Sequence, residues 1–295
     1  MRTINYAVND NITVKAYLQS LNYSRKSISA IKQNGALLVN GNHVTVRYAL
    51  HRGDTLTVQL PQETRSKSLI TNHIPVNVLY NDDDVIVVSK PPFMNTIPSR
   101  LHPHNSLIEA VYGVLEKLGD KSVLHPVSRL DRDTSGLIVF SKHQLTHHLL
   151  TNKIEKHYAL FAEGHVNNAG NYVCPINRED DSIITRIVHV YGQHARTEYK
   201  LMTYYASTNI SYVCAKLHTG RTHQIRVHFS SAGHPLIGDT LYGGQPIIAR
   251  QALHAISVRF KHPITGENIT IEDDLPEDFK PIQNEEEDIW QNTIS

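Results

Sequence analysis

Between two patterned stretches of this chain lies a run with almost no pattern. Residues 62–73, Q-E-T-R-S-K-S-L-I-T-N-H, are polar and aperiodic, so they offer no continuous apolar face to a helix or a strand. Such a run reads as a linker, and it divides the chain into a front piece, residues 1–61, and a larger piece beginning at Ile74. A chain of 295 residues is long for one average domain, which agrees with the division.

In the front piece, Val14, Leu18, Leu21, Ile28 and Ile31 recur near helical spacing, interrupted at Asn22-Tyr23-Ser24. Two short helices are predicted, with Gly35 as the C-cap of the second. The alternating run A-L-L-V-N-G-N-H-V-T-V then turns at Asn40-Gly41, a hairpin signal, and Gly53-Asp54 precedes T-L-T-V-Q-L. The larger piece mixes strand-like runs (around Val76–Tyr80, Val85–Lys90, Leu137–Ser141, Tyr158–Glu163, Arg196–Met202 and Tyr212–Leu217) with helices predicted over Ser106–Leu118, Lys142–Lys153 and Thr222–Ala232. Thr222 is the expected N-cap of the last helix and Gly233 its stop. Pro91-Pro92 must end the second run, since proline cannot continue a ladder. No regular βαβ alternation emerges, so the fold class is α+β rather than a doubly wound sheet.

A net charge of +1 hides a strong asymmetry. Residues 1–74 carry nine Lys or Arg against three acids, while residues 267–295 carry one Lys against ten acids, with Glu285–Asp288 consecutive. A basic front is the signature of an anionic partner. The acidic end, residues 281–295, reads as a mobile tail. Two cysteines without a C-x-x-C spacing exclude a disulfide scaffold and a cysteine-rich zinc site, favouring a reducing cytoplasm. No stretch approaches the roughly 18 uncharged apolar residues of a membrane span, and the first residues lack a signal-peptide core. A membrane partner is therefore not expected.

Two segments concentrate chemistry-bearing side chains. In H-P-V-S-R-L-D-R-D-T-S-G-L-I-V-F-S-K, His125–Lys142, Arg129, Asp131, Arg132 and Asp133 interleave before a strand. Taken alone, that spacing fits a charged surface turn as well as a site. In L-H-T-G-R-T-H-Q-I-R-V-H, beginning at Leu217, Arg226 lies one turn after Thr222 on a basic helix, a pattern that also suits a surface resting on phosphate.

The two segments together resemble the catalytic signatures of the RluA-type family of RNA pseudouridine synthases, over about Ile74 to Gly266. Arg129-Leu130-Asp131 followed by Thr134-Ser135-Gly136-Leu137 resembles the active-site loop. Gly220-Arg221-Thr222-His223-Gln224-Ile225-Arg226 resembles the second signature, and Lys156-x-Tyr158 the strand bearing the active-site tyrosine. The three occur in family order. Two departures stand out: Ser128 where the family usually has His, and Pro92-Phe93-Met94 after Lys90-Pro91 where a small residue and Gly are common. The front piece resembles the alpha-L RNA-binding module first described in a ribosomal protein, through Ser24-Arg25-Lys26, Lys32 to Gly35, Val39-Asn40-Gly41 and Gly53-Asp54.

The resemblance implies a small helix-helix-strand RNA-binding module (1–61), a linker (62–73) and a mainly antiparallel catalytic domain (74–280). It implies Asp131 as the catalytic carboxylate, Arg226 as its guanidinium partner and Tyr158 stacked on the base. Ile225 supplies apolar packing at the substrate, Arg129 enters the RNA stack where the uridine leaves it, and Arg221, Arg25, Lys26 and Lys32 bind RNA. The implied target is large-subunit ribosomal RNA or its precursor. Breaking N1–C1′ and joining C5 to C1′ adds and removes no atoms, so neither a redox cofactor nor a nucleotide cofactor is expected. Positive charge developing on the sugar calls for a carboxylate. Two other classes compete. A non-catalytic RNA-binding or ribosome-assembly protein gains nothing from an aspartate beside phosphates. A metal hydrolase is suggested by 19 histidines, among them His143, His147 and His148, but no H-E-x-x-H is present, and no metal ligands are assigned.

Overall fold

The computed structural model describes residues 2–283. The front piece contains β1 (Thr3–Ala7), β2 (Ile12–Thr13), α1 (Val14–Ser20), α2 (Arg25–Asn34), β3 (Ala36–Val39), β4 (Asn42–His43), β5 (Ala49–Leu50) and β6 (Thr55–Gln59). The Ser24 hydroxyl accepts the Ser27 N–H at 3.0 Å and so caps α2. One turn apart, Ile28 and Ile31 face the core. The predicted hairpin forms at Asn40 (φ 49°) and Gly41 (φ 85°), the left-handed pair that a two-residue turn requires. Gly35 is the C-cap of α2, as expected, its N–H bonding the Ile31 carbonyl at 2.9 Å. Its φ of −122° is extended, and its missing side chain matters because a Cβ would lie 2.2 Å from the Gln59 carbonyl oxygen. The glycine serves close packing of α2 on β6, not a left-handed cap.

The larger piece contains β7 (Asn77–Asn81), β8 (Val85–Lys90), α3 (Leu107–Lys117), β9 (His125–Pro126), β10 (Ser135–Ser141), α4 (Gln144–Leu150), β11 (Glu155–Glu163), β12 (Ala169–Val173), β13 (Ile176–Arg178), β14 (Arg186–Val188), β15 (Arg196–Tyr205), β16 (Ile210–Leu217), α5 (Gln224–Ser231), β17 (Leu253–Lys261), β18 (Asn268–Glu272) and α6 (Lys280–Gln283). Ten strands form one sheet in the order β12-β15-β16-β11-β17-β10-β8-β7, with β18 on β17 and β9 on β10. Every pairing in it is antiparallel except β10 with β17, which run parallel through Ser135↔His254 and Gly136↔Ala255. At this seam Gly136, with φ 105°, lies so close that a Cβ would meet the Ala255 carbonyl oxygen at 2.4 Å. Glycine is required there by sterics. The α+β reading and the mainly antiparallel sheet agree with the structure, whose central β17 and its partner β18 were not read from sequence.

Residues 62–73 hold no helix or strand, yet they do not hang free. The Glu63 carboxylate meets His125 Nε2 at 2.6 Å and accepts the Gln144 N–H at 2.8 Å. Burial alone raises the Glu63 pKa, but these bonds more than offset it and leave it below the ordinary range. Arg65 lies 3.9 Å over the Tyr112 ring and donates to the Leu69 carbonyl. The buried Glu109 of α3 accepts from the Ile70 N–H, and Leu69 packs on the α3 core. The expected linker is thus a strap. The front core also continues into the larger piece, because Leu145 and Leu149 of α4 belong to the cluster containing Leu18, Ile31 and Leu56. Arg2 closes the same boundary with a two-pronged contact to Asp84, at 2.6 and 3.1 Å.

At the other end, Ile282 of α6 is buried with Phe279, Phe161 and Ile237, so the packed unit extends past the expected boundary at residue 280. The remainder of the expected tail, 284–295, lies outside the described residues. No helix among the described residues is long and apolar enough to cross a membrane.

A chain beginning at Ser68 loses Glu63 and Arg65 and uncovers Leu145 and Leu149. Two leucines returned to water cost about 1.5–3 kcal/mol each. The truncated chain is expected to melt several degrees lower than the full chain and to gain solubility from Leu145→Gln plus Leu149→Gln. Equal melting temperatures in calorimetry would show instead that the front piece folds as a separate attachment.

Candidate active site

Asp131 sits in the connection between β9 and β10, its side chain 30% exposed, and the loop around it is pinned from both sides. Immediately before it, Leu130 and Thr96 bond reciprocally: the Thr96 hydroxyl donates to the Leu130 carbonyl and accepts the Leu130 N–H. Immediately after it, Lys90 Nζ donates to the Arg132 carbonyl at 2.9 Å while also donating to those of Met94 and Pro91. Arg250 Nη1 donates to the Asp133 carbonyl, and Gln251 to the Thr134 hydroxyl. Lys90 is wholly buried at the end of β8, and burial, opposed by the charge of Asp133, pushes its ammonium down to about 7.

Opposite the loop, α5 supplies Arg226. Its guanidinium forms a two-pronged pair with Asp239, Nε to Oδ2 at 2.6 Å and Nη2 to Oδ1 at 2.7 Å. The remaining nitrogen, Nη1, stands 3.5 Å from Asp131 Oδ2. Burial weakens this guanidinium, yet the bond to Asp239 and the charges of Asp239 and Asp131 prevail and raise its pKa. The expected partnership of Arg226 with Asp131 is therefore the looser of two contacts. Asp239 is the principal partner and was not singled out from sequence. The side chain of His223 is the other nitrogen-bearing group near Asp131, with Nε2 at 3.8 Å from Oδ2.

The start of α5 also departs from expectation. His223, not Thr222, is the N-cap; its φ is 57° and no side chain caps the helix. Gln224 fixes the turn instead, with all four hydrogen bonds made: Oε1 accepts the Thr219 hydroxyl and the Arg221 N–H, and Nε2 donates to the Arg196 carbonyl and the Thr197 hydroxyl. A buried amide so fully satisfied rigidifies the connection from β16 to α5.

Tyr158 lies at a bulge where β11 passes β17, between Ala215 and Ala255. It is 5% exposed, and burial, then the charge of Asp131, raise its phenol pKa. Its hydroxyl has no hydrogen-bond partner among the described residues. Ile225 is buried in the same apolar cluster, with Leu130 packed against it. Arg129 is exposed and free of ion pairs among the described residues, whereas Arg221, also exposed, donates to the His194 carbonyl. Arg25, Lys26 and Lys32 are exposed on α2 of the front piece and share no contact with the Asp131 loop. Phe93 occupies the position where the resemblance leads one to expect glycine. It is half exposed in the left-handed region, φ 63°, with the Arg132 guanidinium 6.0 Å from its ring.

His143, His147 and His148 do not converge on a metal-binding geometry. Among the described residues the one such trio is Asp82, Asp84 and His262. Its carboxylates are already engaged by Arg2, Tyr80 and the backbone N–H groups of Asp84 and Val85.

The family model for RNA pseudouridylate synthase matches residues 84–231, which contain the Asp131 loop, Tyr158 and Arg226. The chain is 40% identical over 279 residues to the RNA pseudouridine synthase YjbO of Bacillus subtilis, covering 92% of this chain and 98% of the relative. It is 34% identical over 252 residues to the ribosomal large subunit pseudouridine synthase D of Haemophilus influenzae, covering 78% of this chain and 75% of that one. Among solved structures it is similar to human RNA pseudouridylate synthase domain containing 1, with a TM-score of 0.58 at 23% identity, over 72% of this chain and 87% of the other.

The burial of Lys90 has a measurable sign. Its folded pKa of about 7 lies below the ordinary 10.5, so between these values the unfolded chain binds more protons than the folded one. This residue therefore adds stability as pH rises through that window. In Lys90→Met the rise should be missing: melting temperatures at pH 7 and pH 10 should differ by less, or fall more, than in the parent chain. An identical pH profile in the two proteins would place the Lys90 titration elsewhere.

Proposed function

Because the chain belongs to the RNA pseudouridylate synthase family and is an RNA pseudouridine synthase, we propose that it isomerises uridines of large-subunit ribosomal RNA, with Asp131 as the essential carboxylate. The observation that carries the catalytic part is the placement of Asp131: a carboxylate on a loop fixed by Thr96 and Lys90, facing a buried guanidinium and close enough to Tyr158 to shift its phenol. The target is supported by the likeness to the ribosomal large subunit enzyme of Haemophilus influenzae and by the exposed cations Arg25, Lys26 and Lys32 on α2. A cytoplasmic location follows from that target.

In this reading the uridine is extruded, since a stacked base cannot present its sugar and both edges to one site. Arg129, exposed two residues before Asp131, enters the vacated stack, where a planar guanidinium can both stack and bond phosphate. Tyr158 receives the base on its ring, backed by Ile225. As the N1–C1′ bond breaks, Asp131 meets the positive charge on the sugar, either by bonding to carbon or by taking a sugar proton. The uracil turns and C5 bonds to C1′ as the Asp131–carbon bond breaks or, in the other case, as Asp131 returns the sugar proton; the C5 proton leaves and N1 gains a proton, so atoms balance without a co-reactant. Arg221 and the α2 cations hold the flanking backbone by counterion release.

Asp131→Asn keeps the shape of the side chain and removes its charge. It should lower the single-turnover rate at saturating RNA by roughly 100- to 10,000-fold or more, with RNA affinity nearly unchanged. Nucleotide-resolution mapping of pseudouridine in cells with and without the gene should show the lost sites in large-subunit ribosomal RNA. Turnover by the folded Asn variant would remove Asp131 from its role, and sites lost only from transfer RNA would move the target.

A further inference from the structure

His223 is held in a backbone conformation that residues with a Cβ rarely adopt, φ 57° and ψ 20°, directly before α5. That conformation sets its ring between two groups, Nδ1 at 2.8 Å from the Tyr242 hydroxyl and Nε2 at 3.8 Å from Asp131 Oδ2, with the side chain 11% exposed. Burial lowers the imidazole below its ordinary range against the attraction of Asp131. The ring is accordingly neutral at neutral pH and carries one N–H.

Tyr242 decides where that hydrogen lies. Its hydroxyl oxygen already accepts the Arg186 backbone N–H at 2.9 Å. Were Nδ1 protonated, the oxygen would accept twice, its own proton would have no acceptor among the described residues, and a bare Nε2 lone pair would face the Asp131 carboxylate. With the proton on Nε2, every group is matched: Tyr242 donates to Nδ1, and Nε2–H points toward Asp131. Tyr242 also supports Arg226, whose guanidinium lies 4.9 Å from its ring centroid, and meets the His223 ring edge-on at 5.6 Å. One residue thus underlies both groups near Asp131, and both make their closest approach to Oδ2.

We propose that His223, set in its Nε2–H tautomer by Tyr242, is a positioning residue for Asp131: a second donor to Oδ2 beside Arg226, leaving Oδ1 to address the sugar. The inference rests on the catalytic reading of Asp131. The 3.8 Å separation closes to a hydrogen bond when RNA fills the site, as catalytic contacts tighten in substrate complexes.

The test uses the full chain and its variants Tyr242→Phe, His223→Gln and His223→Leu, each checked for folding, with a short transcript carrying a mapped target uridine. Nitrogen NMR of histidine-labelled protein should show the Nε2–H tautomer at His223 in the parent chain and a mixture in Tyr242→Phe. At saturating RNA, His223→Leu should lose roughly 10- to 100-fold in single-turnover rate and Tyr242→Phe up to about tenfold. His223→Gln, which retains an N–H donor, should recover most of the loss, and RNA affinity should stay within about twofold throughout. A parent chain with the Nδ1–H tautomer, parental rates in His223→Leu and Tyr242→Phe, or a loss of affinity at an unchanged saturating rate overturns the proposal. If Asp131→Asn is inactive while these variants turn over like the parent, this inference alone fails; if Asp131→Asn is active, the underlying reading fails first.

Discussion

The buried pair between Arg226 and Asp239 is the interaction on which the rest of the site depends. Both side chains are nearly inaccessible, 7% and 1% exposed, and their two hydrogen bonds of 2.6 and 2.7 Å orient the guanidinium plane. Removing two charges from water is costly, and only close, two-pronged geometry offsets it. A lone buried arginine beside Asp131 would be far less favourable, and its many rotamers would leave the distance to the carboxylate undefined. With Asp239 holding two nitrogens, only Nη1 remains to face Asp131.

The scaffold reaches the same place from the other side. The Asp131 loop enters β10 at the parallel seam with β17, where Gly136 permits backbone contact. Lys90 at the end of β8 and Thr96 in the following loop fasten the residues on either side of Asp131. Tyr158 comes from β11, on the opposite side of β17, and α5 follows β16. The seam therefore gathers residues distant in sequence, and its close backbone packing explains how a carboxylate on a loop can keep one position.

Much of this was legible in sequence, because the groups proposed to carry the chemistry sit in short local runs. Arg129, Asp131, Tyr158 and Arg226 were singled out by the resemblance of their local runs to the family's signatures, since residue type and spacing alone also fit a charged surface turn and a phosphate-binding helix. What escaped were the partners. Asp239 lies 13 residues beyond Arg226 and is brought beside it by the turn after α5, which has no periodic signal. Lys90 looked like the polar end of a strand, since nothing local shows that three backbone carbonyls converge on it. Gln224 and His223 stood inside the signature without separate roles, because Thr222 offered a more ordinary cap. The strand β17, buried on both faces, lacks the clean polar alternation that marks a half-exposed strand. The contacts of residues 62–73 escaped for a related reason: Glu63 and Arg65 make them through side chains to distant elements, leaving the segment itself without a repeat.

The central claim is that Asp239 acts through Arg226 on Asp131 as a single unit. A double-mutant cycle on the single-turnover rate at saturating RNA tests it, using Arg226→Met, Asp239→Asn and both together, each shown to be folded. Each single change should reduce transition-state stabilisation by on the order of 2–5 kcal/mol, and the double variant should lose little beyond the worse single one. Strictly additive losses, or an Asp239→Asn variant that turns over like the parent, would contradict the account.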